Sequence, residues 1–251
     1  MTLIDLNADV GEQESTEGVA LDAAILDAVT SANVACGLHA GDARTMRVMC
    51  EAALVREVRI GAHVGYADRE AFGRRDREAG HEVLRDQTLY QVGALSAIAT
   101  AAGGRVSYVK PHGALYHRCA TDVGQARAVI EAIVSFDSAL AVLGPPGSAL
   151  LSVAAGHGLQ TVAEGFADRA YLSDGSLMPR SERGSVLDPA AAAEQALRIA
   201  RSRSVGTAGG GVIDLDVRSL CLHSDTPGAP GLAATLRERL LRADVELRAF
   251  T

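Results

Sequence analysis

The chain has 251 residues, 48% of them hydrophobic and 22% charged, which excludes a disordered or fibrous protein and leaves enough apolar material for a sizeable core. Its formal charge of −7, from 31 acidic and 24 basic residues without a basic block, excludes a binder of phosphate backbones or anionic lipid. No segment reaches the ~18 uninterrupted apolar residues of a spanning helix, and residues 1–5 hold no positive stretch ahead of an apolar run, so the expectation is a cytoplasmic protein with neither nucleic acid nor membrane as partner.

In chain order, β-rich runs alternate with longer helical stretches, the pattern of a parallel sheet with crossover helices. Strands are predicted over residues 3–8 and 32–36, a helix over 43–56, a strand over 59–63 and a helix over 77–102. The alternation continues with a strand over 107–110, a helix over 122–136, a strand over 140–143 and a helix over 148–157. It closes with a strand over 161–164, a helix over 189–203, a strand over 219–223 and an amphipathic helix over 232–243. Pro189 after Asp188 suits a first helical turn behind a capping carboxylate. No composition shift marks a linker, and Gly144-Pro145-Pro146-Gly147 and Gly209-Gly210-Gly211 read as local turns. The expectation is a single α/β barrel domain over residues 1–251, a length such barrels commonly have.

The reason for preferring a barrel to an open sheet is where the polar residues fall. Six of the seven predicted strands end in a polar cluster: Asn7, Asp9 and Glu12; His39 and Asp42; His63 and Asp68; Lys110 and His112; Glu164, Asp168 and Arg169; His223 and Asp225. In parallel α/β folds the loops after the strands share one face, and in a barrel they ring one mouth. Any single histidine there is more often a hydrogen-bonded bystander than a catalyst; the convergence of all of them is what points to a site. Of the 24 basic residues only Lys110 is a lysine, which suggests a place where a compact ammonium is needed. Pro111 favours an extended Lys110 at the strand end, with His112 opening the following loop. The four cysteines (Cys36, Cys50, Cys119, Cys221) are widely spaced and read as buried, reduced thiols. No Gly-x-x-x-x-Gly-Lys-Ser/Thr loop, Gly-x-Ser-x-Gly elbow or His-Glu-x-x-His helix is present. The three glycines at 209–211, which follow a predicted helix rather than a strand, are weak evidence for a phosphate cradle. General acid–base chemistry, or metal-assisted chemistry, fits better than an activated serine.

Long ordered blocks then carry a resemblance: residues 5–12 (DLNADVGE), 31–42 (SANVACGLHAGD), 61–66 (GAHVGY) with 72–75 (FGRR), 109–116 (VKPHGALY), 164–169 (EGFADR) with Tyr171, Asp174-Gly175, and 222–227 (LHSDTP). Across nearly its whole length the sequence resembles the LamB/YcsF family, the A subunits of bacterial 5-oxoprolinase. Two departures, Ser224 where Gly is expected and Val64 where Pro is common, remove no side chain assigned to chemistry. The resemblance implies a seven-stranded TIM-like barrel related to the glycoside hydrolase and carbohydrate deacetylase folds. It implies conversion of 5-oxo-L-proline, ATP and water to L-glutamate, ADP and phosphate, with ATP as cosubstrate and separate B and C subunits as partners. On that reading Asp9 or His63 is the general base, His112 or His223 the general acid, and Lys110 and Arg169 hold carboxylate or phosphoryl oxygens. Asn7, Glu12, His39, Asp42, Glu164, Asp168 and Asp225 complete the substrate-binding set. Two rivals stay open: a stand-alone metal-dependent carbohydrate or amide deacetylase, in which Asp9 with His39, His63 or His112 would ligate a divalent ion, and a non-catalytic subunit. The oligomeric state, a homo-oligomer included, is not legible in the sequence.

Overall fold

Alternation along each predicted strand decides the architecture. The computed structural model describes residues 2–224 and 228–251. Strands β1 (Thr2–Val10), β2 (Ser31–Ala35), β3 (Arg59–Val64), β4 (Val106–Pro111), β5 (Ala141–Gly144) and β6 (Thr161–Phe166) pair in parallel in that order. After a short antiparallel hairpin of β7 (Ser204–Gly206) and β8 (Val212–Asp214), strand β9 (Ser219–His223) pairs with both β6 and β1 and closes a seven-stranded barrel. A last strand, β10 (Val245–Leu247), adds to the start of β1. The seven barrel strands are the seven predicted ones, and the TIM-like α/β barrel is as expected.

The helices are α1 (Thr16–Ile25), α2 (Ala43–Val55), α3 (His81–Ala101), α4 (Gly113–Thr121), α5 (Val123–Phe136), α6 (Ala149–Gly156), α7 (Pro189–Ser202) and α8 (Ala229–Arg242). None of them is long and apolar enough to cross a membrane. One parity of each strand faces them: Ile4, Leu6, Ala8, Val10, Ala32, Val34, Ile60, Ala62, Val64, Leu220 and Leu222 join one buried apolar cluster with the helices. The other parity turns into the barrel, where it is polar along β1, β2 and β9 and apolar at Ala141, Leu143 and Val162, which cluster with Tyr108 and Phe250. Asp5 lies level with Ser219, Asn7 with Ser31 and Cys221, and Asp9 with Asn33 and His223. Tyr108 plugs the N-terminal end of the barrel against Phe250, their rings 5.0 Å apart.

Several local expectations change, among them the start of the last helix, at Ala229 rather than 232. Helix α3 starts at His81 rather than 77, because the Arg77 guanidinium is spent on the Ala67 carbonyl (3.1 Å) and Gly80 takes the N-cap. Two helices lie outside the predicted set. Weakly periodic α1 is capped by Ser15, whose side chain accepts from the Gly18 N–H, and α4 starts at once after His112, in place of the expected loop. The glycines at 209–211 follow β7 and form the turn of the β7–β8 hairpin, Gly210 at φ +81°, so they bridge strands rather than follow a helix.

Candidate active site

The inward residues build a hydrogen-bonded column along the barrel axis. At its base Asp5 accepts from Thr30 Oγ1 (2.6 Å), Ser31 Oγ (2.7 Å) and Ser219 Oγ. Above it Asn7 Nδ2 donates to Ser219 Oγ (2.7 Å), and Asn33 Nδ2 donates to Asn7 Oδ1 and Asp9 Oδ1, each at 2.7 Å. Tyr108 donates its hydroxyl to Asn33 Oδ1 (2.7 Å). Asn7 thus lies below the mouth, orienting its neighbours. A carboxylate buried at this depth is costly to ionise, and burial pushes the Asp5 carboxyl up to about 6 in spite of its hydroxyl donors.

Lys110, only 2% exposed, stands where this column meets the mouth. Its Nζ lies 3.0 Å from Asp9 Oδ1, 3.2 Å from Glu164 Oε2 and 3.1 Å from Cys221 Sγ. Burial alone would strip the proton from such an amine; the charges of Asp9 and Glu164 outweigh it and hold the ammonium well above its ordinary range. Asp9 in turn is driven up by burial but held well below the usual carboxylate range by His63 and Lys110. Cys221, which reads from the sequence as one more inert thiol, touches the ammonium. Burial keeps its thiol protonated, and its parity with His223 on β9 was the available signal. All four cysteines are free and buried.

Two imidazole arrangements flank this pair. On one side His223 Nδ1 meets both oxygens of Asp168 at 3.1 and 3.0 Å, and the His223 N–H also donates to Asp168 Oδ2 (3.1 Å). Its ring stacks on Phe166 at 5.4 Å and 12°. A carboxylate behind Nδ1 fixes the ring and leaves Nε2 for the cavity, the geometry of an oriented acid–base imidazole. Burial raises and the His223 charge lowers the Asp168 carboxyl, with the latter prevailing.

On the other side Glu12, His39, His63 and His112 meet, all buried. Glu12 Oε1 lies 3.2 Å from His112 Nδ1, 3.6 Å from His39 Nε2 and 3.8 Å from His63 Nε2. His63 Nδ1 donates to the Lys110 carbonyl (3.1 Å) and His112 Nε2 to the Phe72 carbonyl (2.9 Å). The remaining nitrogens, His63 Nε2 and His112 Nδ1, face each other at 3.0 Å. Close backbone approach makes room here: a Cβ on Gly65 would sit 2.6 Å from His39 Nδ1, and one on Gly73, at φ +63°, 2.8 Å from His39 Cβ.

These groups open on a cavity of about 400 Å³ whose wall includes Asp9, His63, Lys110, His112, Arg169 and His223, closed by Tyr116 and Phe166. Its size is that of small-molecule sites, about 300–1,000 Å³. Arg169 is held by its Nε to the Ser185 carbonyl (3.1 Å) and its Nη2 to the Met178 carbonyl (2.6 Å). The structure therefore brings Asn7, Asp9, Glu12, His39, His63, Lys110, His112, Glu164, Asp168, Arg169 and His223 to one end of the barrel. Asp42 stands apart: it is exposed and caps α2, accepting from the Thr45 N–H (2.7 Å) while Thr45 Oγ1 accepts from the Asp42 N–H (2.7 Å). Asp68 is buried behind the wall, 3.8 Å from Arg75, and Asp225 lies outside the described residues. Asp5, Ser31, Asn33, Tyr108 and Ser219 escaped the sequence reading because they precede the strand ends; their signal was inward parity.

Among the described residues, two groups of side chains have the donors for a cation: Glu12 with His39, His63 and His112, and Asp9 with Cys221 and His223. The second already holds the Lys110 ammonium, within 3.1 Å of both Asp9 and Cys221. The carboxylate grouped with all three histidines is Glu12, while Asp9, which the sequence suggested, meets that cluster at His63, its Oδ2 3.4 Å from His63 Nε2.

A family model described as the LamB/YcsF family matches residues 4–251. A Streptomyces avermitilis protein named as the A subunit of 5-oxoprolinase is 52% identical over 99% of this chain and 100% of its own length. The crystal structure of a lactam utilization protein from Thermus thermophilus superposes with a TM-score of 0.92 at 41% identity, covering all of both chains. The catalytic domain of a peptidoglycan N-acetylglucosamine deacetylase from Eubacterium rectale shares the fold, with a TM-score of 0.53 at 10% identity over 100% of this chain and 89% of that one.

Proposed function

The chain belongs to the LamB/YcsF family, and from that premise we propose that it is the A subunit of an ATP-dependent 5-oxoprolinase, opening 5-oxo-L-proline to L-glutamate with B and C subunits. The observation that carries this reading is the buried Lys110 ammonium, paired with Asp9 and Glu164 beside an Asp168-oriented His223, with Asp9, Lys110 and His223 lining one small-molecule cavity. The names of the Streptomyces and Thermus relatives support it.

A five-membered lactam is an unstrained amide, so its opening needs an activated carbonyl, a base for the attacking water and an acid for the departing nitrogen. Transfer of the ATP γ-phosphoryl group to the lactam oxygen would activate the carbon. Water then adds there while Asp9 or His63 takes its proton, the C–N bond breaks as His223 or His112 protonates the ring nitrogen, and a second water releases phosphate from the resulting acyl phosphate to leave the carboxylate of glutamate. His223 is the better placed acid, since Asp168 holds its Nδ1 and turns Nε2 to the cavity. Lys110 and Arg169 supply fixed positive charge for the substrate carboxylate or the phosphoryl oxygens. The chain has no recognisable nucleotide loop, so the partner subunits supply much of the ATP site on this reading.

The test is glutamate formation from 5-oxoproline and ATP by the purified chain alone, by the B and C subunits without it, and by all three mixed. Turnover confined to the complete mixture is expected; full turnover by B and C alone would overturn the proposal.

A further inference from the structure

We propose that Glu12, His39, His63 and His112 form a binding site for one divalent transition-metal ion of the zinc class, at the inner wall of the cavity. His63 gives its Nδ1 hydrogen to the Lys110 carbonyl and His112 its Nε2 hydrogen to the Phe72 carbonyl. In their neutral forms His63 Nε2 and His112 Nδ1 are therefore bare lone pairs, and they point at one another across 3.0 Å. Two lone pairs at that distance repel, so something positive belongs between them.

A single proton would serve those two nitrogens and, carried on His112 Nδ1, would also reach Glu12 Oε1 at 3.2 Å, but it leaves His39 without a partner. No hydrogen bond reaches Glu12 Oε1 or either ring nitrogen of His39, although His39 is fully buried and Glu12 is 7% exposed. Buried polar atoms without partners are costly, and in folded proteins such atoms call for a specific explanation. A cation among the four groups satisfies Glu12 Oε1, His39 Nε2, His63 Nε2 and His112 Nδ1 together.

The spacing agrees. Ligands about 2.0–2.1 Å from a tetrahedral zinc ion lie about 3.3 Å from one another. The pairs of donor atoms here span 3.0 Å (His63 with His112), 3.2 Å (Glu12 with His112), 3.6 Å (Glu12 with His39) and 3.8 Å (Glu12 with His63), all four atoms lying within 4.8 Å of one another. The carbonyls behind His63 and His112 are the outer partners that metal-bound imidazoles usually have. Three imidazoles and one carboxylate select zinc, cobalt or iron(II) over magnesium or calcium, which favour all-oxygen sets.

With the ion bound, His63 and His112 have both ring nitrogens engaged, so the base and acid of the lactam reading fall to Asp9 and His223. The test of the site measures binding and not turnover, and so stands apart from that reading. The full chain, freed of metal with a chelator, is titrated with Co²⁺ alone. One equivalent is expected to produce visible d–d absorption, together with hyperfine-shifted, exchangeable imidazole N–H signals from the three histidines in the proton NMR spectrum. Glu12→Gln and His112→Asn, checked for folding by circular dichroism, should each weaken that binding by more than the about tenfold that the loss of even an outer partner costs. No stoichiometric Co²⁺ absorption by the wild-type chain would overturn the proposal, as would absorption unchanged in both variants. Should a variant fail to fold, the wild-type spectrum decides: a Co²⁺ complex without shifted imidazole N–H signals overturns it.

Discussion

At the scale of the residue, Lys110 carries the densest set of consequences. Lys110→Met would leave Asp9 and Glu164 buried against an apolar tip, and loss of one partner from a buried ion pair costs about 3–5 kcal/mol. The expected outcome is that much loss of unfolding free energy in urea. Lys110→Arg keeps the charge, but a forked guanidinium does not fit where a compact ammonium meets Asp9, Glu164 and Cys221 within 3.2 Å. On the proposed function, turnover should fall at least about tenfold, and unchanged turnover would reduce Lys110 to charge balance. Asp5 gives a pH signature. Its folded carboxyl titrates near 6 against an ordinary 3.8 because burial disfavours the charge. The folded state therefore holds this proton more tightly than the unfolded one, and the contribution to stability present below 3.8 is lost as pH rises to about 6. At about 1.4 kcal/mol per unit that interval sets a ceiling of roughly 3 kcal/mol. Urea unfolding of the wild type and Asp5→Asn from pH 4 to 7 should show the wild type losing stability relative to the variant up to about pH 6 and then no further. A difference that stays flat with pH would mean that Asp5 ionises normally.

Elements explain which polar residues serve structure and which serve the site. Asp42 was legible as one of a strand-end set, but sequence position alone does not distinguish a ligand-facing carboxylate from a cap. The paired bonds with Thr45 assign it to the start of α2. Asp42→Ala should cost about 1 kcal/mol of stability and leave turnover within about twofold; a large loss of turnover at intact stability would return it to the site. The same ambiguity hid α4, since a helix that starts directly behind Lys110-Pro111-His112 has no spacer to announce it. Strand β3 shows a constraint from the opposite direction. A Cβ on Gly61 would lie 2.2 Å from the Tyr108 ring, so Gly61→Ala must displace the ring whose hydroxyl donates to Asn33. Such overpacking costs about 1–3 kcal/mol, to be read as a lowered Tm.

The whole molecule is a barrel with an apolar jacket and a polar lumen, closed at one end by aromatic packing and open at the other. That closure rests on the C-terminus, where Phe250 covers Tyr108 and its carbonyl accepts from Gln160 Nε2 (3.3 Å). Phe250→Ala should cost about 3 kcal/mol by chemical denaturation; a negligible change would show that the end of the barrel is sealed without it. By itself the sequence determined the seven strands, the barrel and the family, and it pointed to the strand ends as the place of the candidate site. Alternation, helical period and motif order are local properties, and local patterns are written in the chain. Only the tertiary structure decided that Asp5, Asn33, Tyr108 and Cys221 belong to the same column as Lys110, that Asp168 stands behind His223, and that Glu12 joins three histidines. Those pairings join residues up to 214 positions apart. They depend on strand register and inward parity around a closed sheet, and a register is a relation between strands that no single stretch of sequence specifies.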